Sequence, residues 1–154
     1  MNPAATPPAR LDHAAIAARI PHAGPMCLLH AVTAWDAQQI QARAISHRDA
    51  NNPLRGPGGL GIAAGIEYAA QAMAVHGSLL GALHGDGAPR AGRLASTRSV
   101  RCHVRWLDRV GAELTIQARR ISGDDAGMVY DFDIHAGDAL LLSGRASVVL
   151  LPSP

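Results

Sequence analysis

The chain has 154 residues, of which 48% are hydrophobic, so it can bury one core without disulfides or a structural metal. Its formal net charge is +2, and its basic residues are all arginines spread along the chain, which excludes a basic block of the kind that binds nucleic acid. No segment is apolar for long enough to cross a membrane and the start lacks the pattern of a secretion signal, so we expect a cytoplasmic protein.

The first predicted elements are a tail, a short helix and a loop. Residues 1–10 are rich in alanine and proline, and we expect them to form a flexible tail ahead of one domain at 11–151. Asp12 is a favourable N-cap residue for the short helical stretch 13–20 that follows it. Two prolines and a glycine in the next segment, Pro21–Met26, predict a loop.

Two strands are predicted next, at 27–35 and 39–47. The first segment is apolar and the second alternates apolar with polar residues, a pattern typical of strands. The residues between them, 36–38, favour a turn, so the two strands should form a hairpin. An irregular stretch rich in glycine and proline, 48–61, comes before the next element.

One long apolar helix is predicted from Ile62 to about Leu83. A surface helix carries a polar face, but Glu67 is the single formally charged residue between Arg55 and Asp86. We therefore expect a helix that other parts of the fold cover on most sides.

The last third of the sequence predicts four strands joined by turns rich in glycine and aspartate. These strands are expected at 94–106, 112–121, 128–135 and 139–150. Together with the hairpin and the long helix, this order indicates an α+β fold. An antiparallel sheet of about five to six strands would wrap around one central helix.

Glu67 is the strongest candidate for chemistry, because it stands alone as a charge on the apolar helix. Burying a carboxylate is costly, and burial favours its protonated form, which is the form that a general acid needs. The nearby helix N-terminus would partly oppose this effect by favouring the ionised form. Alternatively, Glu67 has a structural role and either pairs with an arginine or caps a loop.

Other polar residues could assist Glu67. Gln71 lies one turn further along the same helix face, where it could bond the carboxylate or a substrate, or act as an ordinary buried polar residue. Among the eight histidines, His22 stands in the proline-rich loop, which could present a base to a cleft. His47, at the end of the second predicted strand, is the reserve candidate.

Several other kinds of site are not indicated by the sequence. No spacing matches a zinc, magnesium or calcium site, and neither a P-loop nor a nucleophile elbow occurs, so we expect no metal and no cofactor. The glycines before the helix, with Gly65 inside it, could let a thioester approach backbone N–H groups. A tight turn with close helix packing would explain the same glycines.

Cys27 and Cys102 stand in apolar stretches, without the short spacing of a metal site or a redox motif. We expect both to be small buried residues in a reducing compartment, with a disulfide between them as the alternative.

Two motifs resemble the 3-hydroxyacyl-[acyl carrier protein] dehydratases of the hot-dog fold. The segment Ile20–Leu29, IPHAGPMCLL, is similar to the family's LPHRxPMLLLD stretch at its first strand, and Gly65–Gln71, GIEYAAQ, is similar to the start of its helix. A later segment, Arg98–Val104, resembles a strand of the branch tied to aryl polyene and xanthomonadin-like pigments. The resemblance spans roughly residues 18–148.

The resemblance implies an active site with one departure from the family. In the fatty-acid dehydratases a histidine in a GHFPG loop precedes the helix glutamate, whereas the matching stretch here, 52–59, contains none. His22 is therefore the candidate base and Glu67 the candidate acid. The candidate substrate-binding residues are Pro53, Gly59, Gly65 and Gln71.

The resemblance also implies a reaction and partners. The expected reaction converts a 3-hydroxyacyl thioester, on an acyl carrier protein or coenzyme A, to the trans-2-enoyl thioester in fatty-acid-like or polyene pigment biosynthesis. We expect a homodimer or dimer-based oligomer, or pairing with a second hot-dog protein, without nucleic acid or membrane. The alternatives are a hot-dog thioesterase and a non-catalytic partner subunit, the latter suggested by the missing loop histidine.

Overall fold

A computed structural model describes residues 7–85 and 92–151. Within these ranges the helices are α1 (His13–Ala17) and α2 (Gly65–Leu83), and the strands are β1 (Ala31–Trp35), β2 (Gln39–Ala44), β3 (Gly92–Cys102), β4 (Leu114–Gly123), β5 (Gly127–Ala136) and β6 (Ala139–Leu150). Short 3-10 turns lie at Gly24–Met26, Ser46–Arg48 and Ile62–Ala64.

The strands form one antiparallel sheet in the order β1-β2-β4-β5-β6-β3. Tight turns join sequence neighbours, as between β1 and β2, where the Asp36 carboxylate accepts a 2.8 Å hydrogen bond from the Gln38 N–H. β3 follows the long helix and pairs with β6, so it forms one edge of the sheet.

The core lies between α2 and one face of the sheet. Alternation along the central strands turns Ile116, Ala118, Ile134 and Leu142 inward, and all four are fully buried. Gly65 lets the first turn of the helix approach closely, since a β-carbon there would lie 2.6 Å from Leu142 Cδ2. Each large aliphatic side chain buried in this way stabilises the fold by about 1.5–3 kcal/mol.

The predicted α+β architecture and the long helix are confirmed, but the helix is covered less completely than predicted. Eleven of the 19 residues of α2 are buried. A stripe along one side stays partly exposed and contains Ile66, Glu67, Ala70, Ala74 and Gly77. Glu67 therefore lies on the open side of the helix, with 33% of its side chain exposed, and the prediction that it is buried is wrong for the single chain.

Strand boundaries differ from the prediction where short 3-10 turns intervene. Gly24 has φ +58°, in the left-handed region, and the turn that it begins delays the first strand until Ala31. A second turn at 46–48 follows β2, which ends at Ala44. β3 ends at Cys102, short of the predicted boundary, because a loop separates it from β4.

The start of the first helix agrees with the prediction, although α1 ends at Ala17 and not at residue 20. Asp12 caps α1, and its carboxylate accepts a 2.9 Å hydrogen bond from the Ala15 N–H. The sequence also predicts a loop at 84–87 after the long helix. Its second half and most of the predicted tail, residues 1–6, lie outside the described residues.

Both cysteines are free thiols, so they do not form a disulfide. Cys27 is buried as predicted, and burial raises the pKa of its thiol. Cys102 is exposed, because it ends the edge strand β3. The prediction that both cysteines are buried therefore holds for Cys27 and is wrong for Cys102.

Candidate active site

The structure places His22 against Glu67. Glu67 stands in the first turn of α2, and His22 lies in the loop that follows α1. His22 Nε2 is 3.0 Å from Glu67 Oε1, and 28% and 33% of the two side chains are exposed. The pair is thus in hydrogen-bond contact and accessible from solvent. The sequence also allowed an ion pair between Glu67 and an arginine. Among the described residues Glu67 forms no such ion pair.

Gln71 holds the loop that carries His22 against the helix. Its amide oxygen accepts a 2.9 Å hydrogen bond from the Leu28 N–H, and its amide nitrogen donates to the Met26 carbonyl at 2.7 Å. The same nitrogen lies 3.4 Å from Glu67 Oε1. Gln71 is 0% exposed, so it has no surface for the substrate contact that the sequence suggested. It is a positioning residue, which fixes the loop and the carboxylate relative to each other.

Gly65 packs closely against the sheet. A β-carbon at this position would lie 2.6 Å from Leu142 Cδ2 and 3.1 Å from Ile134 Cδ1. Its backbone N–H donates to the Ile62 carbonyl of the preceding 3-10 turn. Close helix packing therefore explains this glycine, and the thioester contact at the backbone N–H groups near it stays a prediction.

Gly59 closes a tight turn with Gly56. The N–H of each residue donates to the carbonyl of the other, at 3.1 and 2.9 Å. Gly59 has φ +122°, and a β-carbon there would lie 2.7 Å from the Asp108 carboxylate. The turn accounts for this glycine, and its contact with a substrate stays a prediction.

Pro53 is exposed and lines a cleft of about 620 Å³ beside the loop that carries His22. Pro25 and Leu28 line the same cleft. The lining includes neither His22 nor Glu67, so the structure does not bring Pro53 together with the pair.

The other candidate histidine is engaged elsewhere. His47 is 0% exposed, its Nε2 lies 3.0 Å from the Val110 carbonyl, and burial lowers the pKa of its ring. His76, in α2, is also buried and contacts the Tyr130 hydroxyl at 2.7 Å. Among the described histidines, His22 is the one in contact with Glu67.

A buried polar cluster next to Glu67 was missed by sequence reasoning. The Tyr68 hydroxyl lies 2.8 Å from Ser46 Oγ and accepts a 3.0 Å hydrogen bond from Asn52 Nδ2. Burial raises the pKa of Tyr68. The cluster ties the loop before α2 to the helix residue after Glu67. The sequence feature that could have indicated this cluster is Tyr68 itself, one of two tyrosines in the chain, on an apolar helix.

Two further properties concern the described residues as a whole. Within 7–85 and 92–151, no group of three or more histidine, cysteine or acidic side chains is placed to hold a metal ion. In the same ranges, no helix combines the length and hydropathy that crossing a membrane requires.

Comparison with known proteins identifies the family. The family model of the ApeP-like proteins, described as ApeP dehydratase, matches residues 14–153. The chain belongs to the ApeP-like dehydratase family. This membership confirms the dehydratase resemblance of the two sequence motifs. No curated protein matches the sequence.

Solved structures agree with the fold of this ApeP-like chain. A chain of the dehydratase heterocomplex ApeI:P from Xenorhabdus doucetiae is 25% identical with a TM-score of 0.78, over 90% of this chain and 91% of that one. A hypothetical thioesterase with coenzyme A from Streptococcus pneumoniae is 14% identical with a TM-score of 0.57, over 79% and 85% of the two chains. A thioesterase from Haemophilus influenzae is 15% identical with a TM-score of 0.57, over 80% and 78%. The last two likenesses concern the fold alone, and the predicted hot-dog fold is confirmed.

Proposed function

We propose that this ApeP-like chain dehydrates a 3-hydroxyacyl thioester, carried by an acyl carrier protein or coenzyme A, to the trans-2-enoyl thioester in polyene pigment or fatty-acid-like biosynthesis. Membership of a dehydratase family supports the class of reaction. The observation that supports the mechanism is the 3.0 Å contact between His22 Nε2 and Glu67 Oε1. Eliminating water needs one group that takes a proton and one that gives a proton, and the pair can supply both.

In the proposed mechanism, His22 starts neutral and Glu67 starts protonated. The His22 ring, as the base, removes a proton from the carbon next to the thioester carbonyl. Glu67 gives its proton to the 3-hydroxyl, which leaves as water while the carbon–carbon double bond forms. An imidazolium then faces a carboxylate at 3.0 Å, and one proton transfer from His22 to Glu67 restores both groups. The cycle therefore needs no outside donor or acceptor of protons.

The contacts of Glu67 support its role as the acid. His22 Nε2 and Gln71 Nε2 both lie near Oε1, at 3.0 and 3.4 Å. Among the described residues no side chain forms a hydrogen bond or ion pair with Oε2, so that oxygen can face the leaving hydroxyl.

We also propose that the domain at 11–151 acts in the cytoplasm as a dimer, either of two copies or with a second hot-dog protein. β3 is an edge strand of eleven residues, of which ten are exposed. A long edge strand is normally covered or otherwise protected, because its unpaired backbone groups attract other chains. The related Xenorhabdus doucetiae chain is part of a dehydratase heterocomplex, which supports a hot-dog partner.

Product analysis tests the proposed function. The purified chain is incubated with a 3-hydroxyacyl-coenzyme A and with the same acyl group on a carrier protein. We expect loss of water from the acyl group, seen by mass spectrometry, without release of free thiol, and product formation slowed by about 10²–10⁴-fold in the Glu67→Gln variant. Thiol release without an enoyl product would indicate a thioesterase, and tight binding without turnover would indicate a non-catalytic subunit. Either result would reject the proposal.

A further inference from the structure

A cluster of two arginines and a tryptophan lies in the loop between β3 and β4. Arg105 Cζ is 5.5 Å from the centroid of the Trp106 ring, and Arg109 Cζ is 5.4 Å from the same centroid. Cation–π attraction therefore holds both guanidinium groups against one indole ring. The arrangement is a fixed pair of positive charges on an aromatic platform.

Trp106 is held in place by the glycine-rich loop that leads into α2. A β-carbon on Gly58 would lie 2.6 Å from Trp106 Cη2, so the ring packs directly on the backbone at this glycine. The backbone of the cluster is tied to the beginning of the helical segment, because the Ile62 N–H donates to the Arg105 carbonyl at 3.0 Å. The backbone of the arginine cluster is thus attached to the segment that leads into the helix that carries Glu67.

Neither Arg105 nor Arg109 has a carboxylate partner within the part of the chain that the structure describes. The one acid between them in sequence, Asp108, pairs with Arg55 at 3.1 Å. Both arginines are exposed, and their distances of 5.5 and 5.4 Å to one ring centroid place the two positive charges within about 11 Å of each other, where like charges repel. An anion that binds both would remove this repulsion, and phosphate suits the planar donors of guanidinium groups especially well.

We infer that Arg105 and Arg109, positioned by Trp106, bind the phosphate of the pantetheine arm that carries the acyl group. This inference rests on the proposed function, since acyl thioesters of coenzyme A and of carrier proteins both place a phosphate ester at the end of that arm. Ile62, which bonds to Arg105, precedes Glu67 by five residues, or about 8 Å along the helix. An extended pantetheine arm can span this separation between the phosphate and the reacting thioester.

A fluorescence titration tests the inference without turnover. The chain has two tryptophans, so Trp35→Phe leaves Trp106 as the single reporter at the platform. In this background we titrate pantetheine, 4′-phosphopantetheine and coenzyme A. We expect the phosphate-bearing ligands to bind at least about tenfold more tightly than pantetheine, as hydrogen bonds to charged groups imply. Combined Arg105→Gln and Arg109→Gln should remove this preference.

A matched control and the three ligands define the outcomes. Arg119→Gln removes an exposed arginine of β4 and should leave the preference intact. Similar affinities for 4′-phosphopantetheine and coenzyme A support the inference, whereas a preference for coenzyme A alone would overturn it, because the arginines would then bind the nucleotide phosphates.

Equal affinity for all three ligands would overturn the inference, as would an unchanged preference in the double variant. Because binding is measured directly, a missing enoyl product together with an intact phosphate preference would reject the proposed function and leave the phosphate site standing.

Discussion

His22 and Glu67 meet at 3.0 Å although one lies in a loop after the first helix and the other in the first turn of the long helix. Gln71 bonds the backbone on both sides of Cys27, at Met26 and Leu28, and thereby holds this loop against α2. The geometry of the candidate acid and base thus depends on a buried amide with no surface for the substrate.

The acid–base pair gives the first prediction. His22→Ala and Glu67→Gln should each lower kcat/KM for dehydration by about 10²–10⁴-fold, the usual contribution of one general acid or base. Since both groups act in one step, the double variant should lose little more than the worse single variant. Steady-state rates of enoyl formation measure these effects, with circular dichroism to check the fold. A His22→Ala variant with unchanged kcat/KM would exclude His22 as the base.

Gln71→Leu tests the positioning role of the buried amide. The substitution leaves the Leu28 N–H and the Met26 carbonyl unsatisfied, so the free energy of unfolding should fall by about 1–3 kcal/mol. Enoyl formation should also slow, because the His22 loop loses its attachment to α2. Urea denaturation and the rate assay measure the two effects. Gln117→Leu, on the outer face of β4, is the matched control, and an equal effect there would contradict the role of Gln71.

Two glycines of α2 should respond oppositely to alanine. Alanine in place of a helix glycine normally stabilises by about 0.5–1 kcal/mol, and Gly81→Ala should do so because a β-carbon there meets nothing within 4 Å. Gly65→Ala should instead destabilise by about 1–3 kcal/mol, because its β-carbon would lie 2.6 Å from Leu142 Cδ2. Chemical denaturation compares both with the wild type. Stabilisation by both substitutions would show that the sheet yields easily at Gly65.

The buried histidines predict a loss of stability in mild acid. Burial lowers the pKa of His76 and of His47 in the folded chain. Below the ordinary histidine pKa of about 6.5, the unfolded chain therefore binds more protons than the folded chain. The free energy of unfolding should be at its full value above about pH 7 and should fall as the pH drops below about 6.5.

Urea denaturation at several pH values checks this prediction. Each buried histidine should contribute a slope of up to about 1.4 kcal/mol per pH unit. His76→Phe should flatten the profile, whereas His30→Gln, at an exposed site, should leave it unchanged. A profile that stays level in the wild type between about pH 7 and pH 5 would contradict the expected effect of burial.

The edge strand gives a prediction about assembly. Thr97 is exposed on β3 and stands opposite Ala146, on the side of the sheet that faces the helix. A charge on this side of an edge strand opposes the addition of another strand. Thr97→Lys should therefore shift the mass measured by light scattering from dimer to monomer, while Ser122→Lys on β4 should not. A wild-type chain that is monomeric by itself would exclude the homodimer and favour a different hot-dog partner.

Patterns within short segments were enough to predict most of the architecture. The apolar run of α2, the alternation along β5 and the cap at Asp12 are local features, because helix and strand periods repeat within a few residues. The isolation of Glu67 as a single charge on this helix, and the Gly65–Gln71 motif around it, are also visible within a short segment. Boundaries near Gly24 were harder to place, since a single glycine with positive φ starts a turn that no apolar pattern marks.

Only the folded chain decided which groups meet. The strand order β1-β2-β4-β5-β6-β3 depends on pairing between distant segments, and no periodicity in the sequence encodes it. Packing therefore places His22, and not His47, next to Glu67. It also directs the Gln71 amide to the backbone of the His22 loop. The sheet of a single chain covers one face of α2 and leaves a stripe of the helix partly exposed. Glu67 lies in this stripe, on the open side of the helix.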